Sequence, residues 1–167
     1  MPARAALAEE LGEVTRLQHA GQSDAALAKA DRYLAAHPRD AQMRFLKAVV
    51  LADAGRRPEA MKLLQQLAQD YPELPEPHNN LAALYAADGH YEKARAELED
   101  SLRLNPNYAT AQENMGDVLV MLAGQSYARA QSLEPSSTVL PRKLALVREL
   151  SSTGPTTAAV AASATSH

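Results

Sequence analysis

Asn80 and Asn114 lie 34 residues apart, in "HNNLA" and "QENMG". A side-chain amide at a repeated position offers both a donor and an acceptor to the backbone of another chain. Glu76, Glu113 and Asp117 add carboxylates to the same stretches, a chemistry that attracts Lys or Arg on a partner. The other candidates are weaker. The five histidines, at 19, 37, 78, 90 and 167, show no HExxH or comparable ligand spacing on one helix face. His37 and His90 fall in turns, where a solvated imidazole is expected. Glu9 beside Glu10, and Glu99 beside Asp100, point to different sides of a helix and read as solvated charges. There is no Gly-rich phosphate loop and no nucleophile elbow, and without cysteine there is neither a thiolate ligand nor a Cys nucleophile. The sequence therefore predicts no catalytic residue, no cofactor and no metal site.

Helices must carry these residues. The apolar positions Leu7, Leu11, Val14 and Leu17 recur at steps of four, three and three, and Phe45, Ala48 and Leu51 or Leu81, Ala82 and Tyr85 behave alike; that spacing puts one stripe on one helix face. Between the stripes runs a fixed frame. Gly21, Gly55 and Gly89 are each 34 residues apart, as are Ala26, Ala60 and Ala94, and Pro38, Pro72 and Pro106. Glycine ends a helix in the left-handed conformation, alanine lets two helices approach closely, and proline marks a helix boundary. "DYPELPEP", 70–77, is on this frame a repeat boundary with Pro75 or Pro77 in the first turn of the next helix, rather than a proline-rich ligand.

A 34-residue helix pair with a small residue, Gly, Ala and Pro at these offsets resembles the tetratricopeptide repeat. The best copy is 75–108, in which Leu81, Ala82, Tyr85, Gly89, Tyr91, Ala94 and Pro106 fall on the family's pattern. Copies at 7–40 and 41–74 precede it, the first with Glu13 where the family prefers an apolar residue, and a shortened fourth spans 109–137. The resemblance implies an all-α superhelix whose concave groove, lined by the first helix of each repeat, holds an extended or helical segment of another protein. Groove positions carried over from the family are Leu11, Thr15, Phe45, Val49, Asn79, Ala83, Glu113 and Asp117. Asn80 and Asn114 resemble the asparagine ladder of related superhelices, although Gly12 and Leu46 break the series. The family variant that clamps a terminal carboxylate needs Lys, Arg and Asn at the groove positions, where this sequence has almost no cation, so a partner with basic residues is expected instead.

The fourth unit lacks the five residues that normally make the turn. Apolar residues from Ala111 through Met115, Leu119 and Leu122 to Tyr127, Ala130 and Leu133 keep a helical spacing across the gap. One continuous or kinked helix over 109–133 is favoured, with a shortened hairpin turning at Gly124 as the alternative. The segment 139–150 predicts a short helix with Leu140, Leu144, Val147 and Leu150 on one face, either capping the array or packing on a second subunit. The domain thus runs over 1–150, and the Ala/Ser/Thr tail 151–167 is expected to be disordered.

Composition sets the outer limits. Of 167 residues, 46% are hydrophobic but only 4% aromatic, so the core must rest on alanine and closely packed helices. A net charge of -3 gives no electrostatic footprint for nucleic acid. No apolar run is long enough to insert in a membrane, and a soluble chain is expected, cytoplasmic by default or periplasmic if a leader has been removed. The primary functional expectation is an adaptor or assembly factor that binds a protein segment and catalyses nothing. The alternative is a self-assembly unit forming homo-oligomers through the altered fourth repeat and the last helix.

Overall fold

The computed structural model describes residues 2–152, with side chains from residue 6 onward. Its described residues form eight helices and no strand: α1 Pro2–His19, α2 Ser23–Ala36, α3 Ala41–Asp53, α4 Arg57–Asp70, α5 Pro75–Ala87, α6 Tyr91–Leu104, α7 Ala109–Leu133 and α8 Leu140–Ser152. The chain is all-α and built of helical hairpins. It divides into two compact units, one up to Pro77 and one from His78 onward.

The first three hairpins turn where glycine allows it. Gly21, Gly55 and Gly89 have φ of 71°, 77° and 76°, the left-handed region that costs other residues about 1–2 kcal/mol. Each turn is closed the same way. The N–H of Gln22 donates to the Leu17 carbonyl at 2.9 Å, that of Arg56 to Leu51 at 2.8 Å and that of His90 to Tyr85 at 2.8 Å, the Schellman bond that satisfies a helix-end carbonyl.

In the first unit consecutive helices α1 to α4 pack side by side. The core holds Val14, Leu27, Met43, Val50, Leu64 and Leu67. Ala26 and Ala60 are fully buried, which is why that position of each repeat has no room for a longer side chain. Asp40 caps α3, its carboxylate accepting the Met43 N–H at 2.8 Å. The Tyr71 hydroxyl donates to the Arg39 carbonyl.

In the second unit Ala82, Ala94, Leu98, Ala111 and Val118 form the core, with Tyr85, Tyr91, Met115 and Leu122 packed around it. Here α7 packs on α6 and on α8. The helix α7 runs unbroken through 25 residues, and Gly124 is not among the glycines with positive φ. Its role is a close approach. A Cβ built on Gly124 would lie 2.9 Å from Cγ1 of Val147, so α8 sits against α7 at a point where only glycine fits. Lys143 of α8 also lies over the Tyr127 ring, 5.0 Å from its centre.

The end of α8 differs slightly from expectation. The helix continues to Ser152, the hydroxyls of Ser151 and Ser152 donating back to the Arg148 and Glu149 carbonyls at 3.1 and 2.7 Å, a local bond that serine makes readily. Leu150, expected on the packed face, is 57% exposed, whereas Leu140, Leu144 and Val147 are half-buried. The expected disordered tail falls, from residue 153 on, outside the described residues.

Candidate functional site

The residues expected to face a partner come from the first helix of each hairpin, α1 and α3 in the first unit and α5 and α7 in the second. On α1, Leu11 and Thr15 are half-buried, and the Thr15 hydroxyl already donates to the Leu11 carbonyl at 2.9 Å. On α3, Phe45 and Val49 are core residues, 8% and 3% exposed.

The second unit holds the polar part. Asn79, Asn80 and Asn114 are all buried and form a chain: Asn114 Nδ2 donates to Asn79 Oδ1 at 2.9 Å, and Asn79 Nδ2 donates to Asn80 Oδ1 at 3.2 Å. The series ends at Asn80 Nδ2, a buried donor with no partner among the described residues. An amide left in that state costs about 1–3 kcal/mol. These amides are thus spent chiefly on one another, joining the first helices of two successive repeats across a buried seam. The adjacent Asn79 gives the rung its length, since Asn80 does not reach Asn114 directly.

What remains open to a partner is Ala83, half-buried on α5, and the carboxylates of α7. Glu113 is exposed and Asp117 half-buried, four residues apart on one helix face, a like-charge spacing that destabilises a helix by about 0.2–0.5 kcal/mol. The Asp117 carboxyl is held above the usual aspartate range, first by its partial burial and second by the Glu113 charge. Among the described residues no cation pairs with either acid. Such a pair has an unmet demand for positive charge.

One cluster went unnoticed in the sequence. His78 is half-buried in the first turn of α5, with Nδ1 2.8 Å from Glu97 Oε2 on α6. The hydrogen bond to Glu97 raises the His78 pKa above its ordinary value, against the opposing effect of burial. Asp100 stands one turn further along α6, so that donor atoms of all three lie within 4.8 Å of one another. The spacings of 19 and 22 residues cross a hairpin, so no search along one helix face reveals them. Placing these residues on the 34-residue frame, His78 in the first turn of α5 and Glu97 and Asp100 in the middle and later part of the antiparallel α6, is the signal that could have. His90 is exposed and His37 lies at the surface against Tyr33. Among the described residues no helix is long and apolar enough to cross a membrane.

Comparison with known proteins agrees with the hairpin pattern. Two family models, both described as the tetratricopeptide repeat, match residues 11–75 and 51–115. No curated protein sequence matches the chain. Among solved structures the chain is similar to a thermophilic tetratricopeptide-repeat protein of Thermus thermophilus, at 25% identity and a TM-score of 0.63, over 87% of this chain and 82% of that one. It is also similar to MamA, at 19% identity and a TM-score of 0.59, over 83% of this chain and 84% of the other. A Thermobaculum terrenum O-GlcNAc transferase matches at 23% identity and a TM-score of 0.62 over 71% of this chain, which spans only 23% of the transferase. With three glycine-turned hairpins on a 34-residue frame and family matches running from residue 11 to residue 115, the chain belongs to the tetratricopeptide repeat family.

Proposed function

We propose that this chain is a protein-interaction module of the adaptor or assembly-factor type, holding an extended or helical segment of another protein against the first helices of its repeats. The observation that carries the reading is the Glu113 and Asp117 pair on α7, two carboxylates one turn apart without a cation among the described residues and with the Asp117 pKa raised by burial and by Glu113. A Lys or Arg from a partner removes that repulsion and gains a charge-assisted bond in a half-buried setting. Ala83 on α5 supplies a small apolar surface for the segment's side chains. Asn79, Asn80 and Asn114, each buried, tie α5 to α7 behind this face. Affinity selection of a random peptide library on the full chain tests this. Selected peptides carry Lys or Arg and bind the Glu113→Gln/Asp117→Asn double variant more weakly; cation-free peptides that bind both proteins equally contradict it.

A second reading is favoured by a separate observation. Leu119, Leu133, Val139, Leu146 and Leu150 are 46%, 79%, 58%, 54% and 57% exposed, and all belong to α7, α8 or the segment between them. Exposed large apolar residues concentrated on one part of a molecule mark an interaction surface, here one that a second copy of the chain covers. Light scattering over a range of concentrations decides it, a strict monomer removing the homo-oligomer.

A further inference from the structure

The cluster of His78, Glu97 and Asp100 is independent of the partner-binding reading. Glu97 and Asp100 are three residues apart on α6, which places them on one face, and the α5–α6 hairpin brings His78 to that face. His78 Nδ1 is 2.8 Å from Glu97 Oε2, and the two side chains are 19% and 24% exposed. One donor atom from each of the three residues lies within 4.8 Å of the others. We propose that this triad binds a single divalent transition-metal ion, with Zn2+ the best fit, through the His78 imidazole nitrogen and one oxygen each from Glu97 and Asp100.

The donor set selects the ion. An imidazole with two carboxylates suits Zn2+, Co2+, Ni2+ or Cu2+, whereas Mg2+ and Ca2+ take oxygen ligands throughout. Two carboxylates balance the charge of a divalent ion, and water completes the shell. Zinc at about 2.0–2.2 Å from each donor sets the three atoms roughly 3.4 Å apart, a small adjustment from the 2.8 Å His78–Glu97 contact and the 4.8 Å limit on the three that side-chain rotation supplies. The ion then occupies the place that the hydrogen shared by His78 and Glu97 holds in its absence. Arg103 is the competitor. Its Nη1 lies 2.5 Å from Asp100 Oδ1, but its side chain is 73% exposed, and so exposed a pair is weakly held. It leaves for solvent as the metal enters. The helix pair itself is closed by Gly89 and packed through Ala82, Ala94 and Leu98, so the ligands stand on a rigid base.

Calorimetric titration of the chelator-treated full chain with Zn2+ alone tests the site, with Co2+ absorption as a spectroscopic check. One equivalent binds the wild-type protein. His78→Ala and Asp100→Asn each weaken binding by about 10-fold or more, because even residues that merely orient a ligand are worth that much. Asp100→Asn keeps the test valid if His78→Ala unfolds, since among the described residues the Asp100 carboxylate accepts a hydrogen bond only from the exposed Arg103 side chain. Arg103→Ala tightens binding by freeing Asp100, and His90→Ala, in an exposed turn, leaves it unchanged. Co2+ gives a ligand-field band that disappears in His78→Ala. The proposal is overturned if the wild-type chain takes up no Zn2+, or if His78→Ala and Asp100→Asn both bind with wild-type stoichiometry and affinity.

Discussion

Replacing Gly124 with Ala sets two effects of similar size against each other. In a helix interior alanine is better than glycine by about 1 kcal/mol, and Gly124 sits in the middle of the unbroken α7. Against that gain stands the contact with α8. The new Cβ would lie 2.9 Å from Val147 Cγ1, and valine, branched at Cβ, cannot rotate that methyl aside without cost. Overpacking of this kind costs about 1–3 kcal/mol, so the clash prevails and Gly124→Ala is destabilising by about 1 kcal/mol. Removing the obstacle reverses the sign. The Val147 Cβ lies at an ordinary 4.0 Å, so in a Val147→Ala background the same substitution stabilises by about 1 kcal/mol. Urea denaturation followed by circular dichroism measures the four proteins of this cycle, and hydrogen exchange of the α8 amides shows whether α8 detaches before the rest unfolds. Equal stabilisation by Gly124→Ala in both backgrounds would refute the reasoning, because it would mean that α8 does not press on Gly124.

Gly89→Ala tests the turn separately: no atom lies within 4 Å of the added Cβ while φ is +76°, so the loss of about 1–2 kcal/mol is purely backbone strain, and a thermal midpoint equal to wild type contradicts it. Asp40→Ala removes the cap on the Met43 N–H and costs about 1 kcal/mol in denaturant unfolding. Asp117→Asn acts in the opposite direction. Because the folded chain raises the Asp117 pKa, the native state holds this proton more tightly than the unfolded one. Stability is therefore lost as pH rises through the folded pKa, and the penalty is fully present at neutral pH. The amide variant is more stable at pH 7 by a few tenths of a kcal/mol, and the difference shrinks as pH falls below the ordinary aspartate range. A difference that grows on acidification contradicts the assignment.

Much of the fold is legible because glycine, alanine and proline act through the backbone, and their spacing survives without any tertiary information. The left-handed turns at Gly21, Gly55 and Gly89 and the buried Ala26, Ala60 and Ala94 follow directly from the 34-residue frame. Gly124 shows the limit of that logic. Glycine has two uses, a turn or a close approach, and only the position of Val147 distinguishes them. Apolar spacing through Met115, Leu122 and Tyr127 favoured the helix but could not name the reason for glycine. The candidate site was legible as positions, not as contacts. Asn80 and Asn114 stand out as a repeated pair, yet Asn79 between them makes the actual bond. His78 meets Glu97 across the hairpin rather than along its own helix, a relation that depends on how two helices pack.

The central functional claim concerns the face around Glu113 and Asp117, and amide chemical-shift mapping tests it most directly. The full chain, labelled with nitrogen-15, is titrated with a basic peptide selected on it, at two salt concentrations. Shifts centred on residues 113–117 of α7 and on Ala83 of α5, weakening as salt screens the charges, are the predicted result. Shifts confined to Leu146 and Leu150 on α8, with residues 113–117 unmoved, contradict it.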